Sequence, residues 1–149
     1  MRLKDKVVVV IGAGQSPGET LGNGRATVLR FVQEGAKVFA VDRDLDSADE
    51  TAALARAEGG DCRTARADVT QEAELKAAIE AAHRQFGRID ILHYNVGISV
   101  AGGDAPVTDI TEEAFDLISA VNMRGAVMAC KHALPIMREA TAGQHHRMA

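Results

Sequence analysis

The stretch VVVVIGAGQSPGETLGNGRATVLRF, Val7 to Phe31, decides how the rest of the chain is read. A run of apolar β-formers empties into a glycine-rich loop, and a helical pattern follows. Strand, glycine loop and helix in that order build a dinucleotide-binding turn. The spacing is unusual, because about six residues more than the short fingerprint separate Gly14 from Gly22. Glycine has two jobs in such a turn: a tight exit from the strand, and a bare backbone where a pyrophosphate meets the helix N-terminus. Gly12 and Gly14 can serve the first, and Gly22 and Gly24, flanking Asn23, can serve the second, with QSPGET as a flap between them. Asp42 follows 18 residues after Gly24, at the end of the next apolar run and before Arg43. A carboxylate there accepts both ribose hydroxyls of an adenosine and repels a 2′-phosphate, so the expected cofactor is NAD, with NADP the weaker ligand. The same residues also suit a surface loop and a capping aspartate.

With 149 residues the chain is long enough for one domain with a sizeable core. It is 46% hydrophobic and 26% charged, the balance of a globular chain rather than a disordered one. A net charge of -4 argues against nucleic acid, whose phosphates require a basic face. No segment approaches the roughly 18 to 20 apolar residues of a membrane span. The apolar run after Lys6 reaches glycine after five residues, too short for the ~7 to 15 residues of a signal-peptide core. Cys62 and Cys130 form no C-x-x-C pair, which suits a reducing compartment, and a cytoplasmic location is expected.

Short β-like runs alternate with longer helical ones. Strands are expected at Val7–Ile11, Lys37–Val41, Arg63–Ala67 and Ile89–Tyr94, and helices at about Gly22–Glu34, Ser47–Ala57, Glu72–Phe86 and Glu112–Arg138. Gly35, Gly59 and Gly87 stand where left-handed helix caps belong, and Thr70 and Thr111 where N-caps belong. Strict alternation means right-handed parallel crossovers. The expected fold is α/β, a Rossmann-like doubly wound parallel sheet of about four strands in the order 3-2-1-4, with the fourth strand at an edge. Residues 1–149 form a single, partial dinucleotide-binding domain, with an atypical tail at 138–149.

In order along the chain, IGAG…GNGRA, VDRD, ADVT, ILHYNVG and AVNMRGAVMACKHALPIM resemble the short-chain dehydrogenase/reductase family, from about Lys4 to Met137. Ile11 replaces the family's usual threonine, Tyr94 its first asparagine and Val96 its alanine. The resemblance implies a nicotinamide cofactor and hydride transfer between it and an alcohol or carbonyl substrate. It places Asp68 and Val69 at the adenine, Asn95, Val96 and Gly97 in the segment after the fourth strand, and Asn122 in the catalytic proton relay, at a kink in its helix. It also implies a homo-oligomer, since members commonly dimerise through the long last helix. From the residues alone, Asp68 also suits a helix cap, Asn95 a turn and Asn122 a plain polar position.

The family's proton-transfer group is a tyrosine with a lysine four residues later, assisted by a serine. Here Tyr94 is the sole tyrosine and Ile98 lies four residues on, so the Y-x-x-x-K motif is missing from these 149 residues. A phenol with no cation in its motif is a poor general acid–base near neutrality. The chain as given is expected to be inactive. The stretch from Arg138 to Ala149 departs from the family pattern; one codon assignment of Gly143–Arg147, read one base later, gives Val-Ser-Ile-Ile, so a frame change is one expected origin. Two further readings stay open: a non-catalytic nucleotide-binding or oligomerising fragment, and a methyltransferase, which also places glycines after the first strand. The adjacent His145 and His146 suit a solvated tail better than a metal site, and no metal is expected.

Overall fold

The computed structural model describes residues 1–18 and 20–145, with side chains as far as Thr141. The elements run β1 (Val7–Ile11), α1 (Asn23–Gln33), β2 (Lys37–Asp42), α2 (Leu45–Ala57), β3 (Cys62–Arg66), α3 (Glu72–Phe86) and β4 (Ile91–Tyr94). After β4 come a 3₁₀ turn (Val100–Gly102), α4 (Glu112–Ser119), a π-helical turn (Ala120–Arg124) and α5 (Gly125–His145). The strands form one parallel sheet in the order β3-β2-β1-β4, the order expected of a Rossmann-like sheet.

Side chains alternate across β1, which divides the core in two. Val8 and Val10 face α1 and α2 and pack with Val28, Val32, Ala52 and Ala55. Val9 and Ile11 face α3 and α5 and pack with Leu75, Ala78, Ile79 and Ala82. Those four α3 residues follow the i, i+3, i+4, i+7 spacing of one helical face. The last turn of each crossover closes as glycine allows: Gly35, Gly59 and Gly87 all have left-handed backbones.

Most element ends fall within two residues of expectation, and the informative departures have local reasons. β4 begins at Ile91 rather than Ile89, because the Asp90 carboxylate takes the Val7 N–H at 2.9 Å and the ladder starts after it. Thr70 does not cap α3. Gln71 holds that position without a side-chain bond, and Thr70 instead donates to Asp68. Thr111 does cap α4, accepting from Ala114 N–H at 3.2 Å. The single helix expected at 112–138 is split by the π turn, and α5 continues past Arg138 through the start of the atypical tail. The remainder of that tail, including His146, lies outside the described residues. No helix among the described residues is long and apolar enough to cross a membrane.

Candidate functional site

All four parallel strands point their C-terminal ends the same way, so the loops after β1, β2, β3 and β4 converge. They enclose a cleft of about 530 Å³ at the point where the strand order reverses. In open α/β sheets this is where ligands bind.

The exit from β1 is fixed by backbone. Gly12 has φ +87°, and the N–H groups of Gly12 and Ala13 both donate to the Val41 carbonyl, at 2.8 and 3.0 Å. A Cβ at Gly12 would meet Val96 Cγ2 at 2.9 Å, and one at Gly14 would meet Asp42 Oδ2 at 2.9 Å. A Cβ at Gly24 would collide with the Gly12 carbonyl oxygen. Gly24 therefore serves the close crossing of α1 over β1, the packing role of a third fingerprint glycine, and it does not line the cleft. Gly22 caps α1, and no side chain caps the helix behind it. The first-turn N–H groups, beginning at Asn23, are thus left to an anion.

Asp42 ends β2 in the cleft wall. Its Oδ2 accepts from Gly14 N–H at 2.9 Å and its Oδ1 from Asp44 N–H at 3.0 Å. Each carboxylate oxygen retains acceptor capacity for a hydroxyl. Arg43 lies beside it in the same wall. Beyond β3, Asp68 accepts from the N–H and the hydroxyl of Thr70, at 2.9 and 2.7 Å. Those two bonds hold its carboxyl below the usual aspartate range, so it is ionised at neutral pH. Val69, 7% exposed, forms the adjoining apolar surface.

Beyond β4, the Asn95 side-chain amide donates to the Gly12 carbonyl at 3.2 Å, tying this wall to the glycine turn. Val96 and Gly97 continue the lining. Asn122 sits in the π turn and clamps Ile98, donating to its carbonyl at 2.7 Å and accepting from its N–H at 2.8 Å. The turn also frees the Val121 carbonyl, which takes the Tyr94 hydroxyl at 2.6 Å. Burial pushes the Tyr94 phenol up to about 12. Asn122 itself is not among the lining residues; it acts on the cleft through Ile98, which is.

Of the sequence-predicted residues, Gly12, Gly14, Asp42, Arg43, Asp68, Val69, Asn95, Val96 and Gly97 line one cleft. Gly22, Asn23, Gly24 and Asn122 are not among its lining residues. Sequence reasoning missed Gln15 and Ser47. Asp44-x-x-Ser47 is a legible N-cap pattern, confirmed by the 3.2 Å bond from Ser47 N–H to Asp44 Oδ1. The pattern says nothing of where the Ser47 hydroxyl goes.

The sequence profile of the family described as short chain dehydrogenase matches residues 6–144. The chain belongs to that family. It is similar to the levodione reductase of Leifsonia aquatica, 36% identical over 144 residues, covering 95% of this chain and 51% of that protein. It is also similar to the 2-(R)-hydroxypropyl-CoM dehydrogenase of Xanthobacter autotrophicus, 38% identical over 140 residues and covering 93% and 53% of the two chains. Among solved structures, a short-chain dehydrogenase/reductase from Burkholderia xenovorans superposes with a TM-score of 0.86 at 39% identity, covering 93% of this chain and 54% of that one. The chain spans about half the length of the curated relatives it matches. Family membership implies a nicotinamide cofactor, NAD or NADP. The residues present fit one: a glycine turn that any Cβ would fill, an uncapped helix start, and an aspartate at the end of β2.

Proposed function

We propose that the cleft holds the adenosine diphosphate half of NAD, in an oxidoreductase that interconverts an alcohol and a carbonyl compound. When bound, the nicotinamide supplies or accepts the hydride. Asp42 would hold the adenosine ribose, Asp68 and Val69 the adenine, and Gly12, Gly14 and the α1 start at Gly22 and Asn23 the pyrophosphate. Asn95 to Gly97 would border its far side, and Asn122 would hold that border through Ile98. The observation that carries the reading is the Asp42 carboxylate, 2.9 Å from Gly14 N–H in the wall of the cleft. A negative charge there disfavours the extra phosphate of NADP.

Calorimetric titration of the purified chain tests it. NAD should bind tighter than NADP by about tenfold or more, and Asp42→Asn, which keeps an acceptor for Gly14 but loses the charge, should narrow that gap. Equal affinities in the wild-type chain would overturn the assignment.

For the 149 residues alone, the reading is nucleotide binding without turnover. Tyr94 has its hydroxyl committed to Val121, a pKa near 12, and Ile98 where a lysine would be needed. NADH-dependent carbonyl reduction by this chain would refute that. A second copy of the chain is the proposed partner. Its support is the set of exposed apolar side chains on α4, the π turn and α5: Phe115, Leu117, Met123, Val127 and Leu134. The free thiols of Cys62 and Cys130 support a reducing, cytoplasmic setting.

A further inference from the structure

The long insertion after Gly14 is the feature that the family's short turn does not explain. Its two ends are joined by a chain of hydrogen bonds. Ser47 Oγ accepts from Gln15 N–H at 2.7 Å and donates to the Gln15 carbonyl at 3.1 Å. The Gln15 side chain then reaches the start of α1, where its Oε1 accepts from Gly22 N–H at 3.0 Å. Ser47 is itself fixed on every other polar atom. Its N–H donates to the Asp44 carboxylate, and its carbonyl accepts from the Thr51 hydroxyl and the Arg25 guanidinium. Arg25 stands in the first turn of α1, so the path runs from α2 to the loop and back to the helix the loop precedes.

We propose that Ser47 and Gln15 are positioning residues that set the spacing between the glycine turn and the α1 start, and so shape the pyrophosphate site despite the insertion. This rests on the cofactor reading above. Only a hydroxyl makes both bonds to Gln15, since it carries one donor and two acceptor lone pairs. Gly14 is required for the same reason: a Cβ there would lie 2.6 Å from Ser47 Oγ. By satisfying Gly22 N–H, Gln15 also leaves the N–H groups from Asn23 onward as the free donors at the helix start. The short fingerprint achieves this spacing with covalent geometry; here a side-chain relay replaces it.

The test uses the full chain with Ser47→Ala, Ser47→Cys and Gln15→Ala. ADP and adenosine serve as probes, and amide hydrogen exchange is followed by nuclear magnetic resonance without nucleotide. Ser47→Ala and Ser47→Cys should speed exchange at Gln15 and Gly22, and Gln15→Ala should speed it at Gly22. All three should weaken ADP about tenfold. Adenosine affinity should stay as in the wild type, because Asp42 and Asp68 are untouched. The near-isosteric cysteine separates hydrogen bonding from packing: wild-type behaviour in Ser47→Cys would overturn the relay. Unchanged exchange would overturn it too, whatever the nucleotides do. Fast exchange with unchanged ADP affinity would leave a structural bond and defeat the positioning role. A wild-type chain that binds neither ADP nor NAD would defeat the cofactor reading itself, with the exchange data still reporting on the relay.

Discussion

β1 and β4 are neighbours in one sheet, and their sequences, VVVVI and ILHY, both read as apolar strands. Every residue of β1 is buried, whereas every residue of β4 is half-buried. The cause is position. Among the described residues, β1 has a strand on each side and β4 has a strand on one side only. This contrast organises the cleft. On the β1–β2 side the turn off β1 is closed by backbone, with two N–H groups on Val41 and the Gly12 carbonyl packed against α1, and the Asp42 and Ser47 side chains hold Gly14 and Gln15 beyond it. On the β4 side one backbone bond, from Asn95 N–H to the Ile11 carbonyl, is joined by single side chains: Asn95 on Gly12, Tyr94 on Val121 and Asn122 on Ile98. The turn at the end of β1 is fixed by backbone and close packing, and the segment beyond β4 depends on a few polar ties.

The largest expected effect breaks this comparison if it fails. Ile11→Ala at the fully buried end of β1 should cost about 3–4 kcal/mol, and Leu92→Ala at the half-buried edge about half of that, measured by urea unfolding. Equal losses would mean that the edge is covered in solution, as a second copy of the chain would cover it. A smaller effect is expected at the polar ties. Asn122→Ala removes two bonds to the Ile98 backbone and should cost about 1–2 kcal/mol. It should also speed amide exchange at Ile98 while leaving Gly12 and Ala13 protected. Equal acceleration at both walls would contradict the division between them.

The parallel sheet and both core faces were legible because they follow from alternation and from the 3.6-residue period, which need no knowledge of partners, whereas the strand order came from the Rossmann-like pattern. α3 begins and ends where its sequence pattern does, at Glu72 and Phe86, since Gly87 leaves no choice at its end. The converging loops were legible for the same reason, so Asp42, Asp68 and Asn95 fall into one cleft. The family resemblance implied a kink at Asn122, and the π turn lies there. What local pattern does not encode is the target of a side chain. Thr70 looked like a cap and bonds Asp68 instead. Ser47 looked like an ordinary first-turn residue of α2, yet it holds Gln15, a contact 32 positions away in the chain. Gly24 was read for its bare backbone, and what matters in the fold is the space left by its missing Cβ.

Tyr94 gives the smallest expected effect and the sharpest test of the weaker wall. Its hydroxyl donates to the Val121 carbonyl in the π turn, and burial raises its pKa from 10.0 to about 12. The folded chain therefore holds this proton more tightly than the unfolded chain does. Below pH 10 both states are protonated and the bond contributes fully; as pH rises from 10 towards 12 the unfolded state ionises first, and that contribution is lost. Tyr94→Phe removes both the bond and the titration. The variant should be less stable than the wild type by about 1 kcal/mol near neutrality, and the gap should close as pH climbs through that window. Urea unfolding at neutral and alkaline pH measures the gap, and the ultraviolet absorbance of the sole tyrosine follows its ionisation. A gap that stays constant across the window would mean that the phenol is not held against Val121, and that the β4 wall is tied some other way.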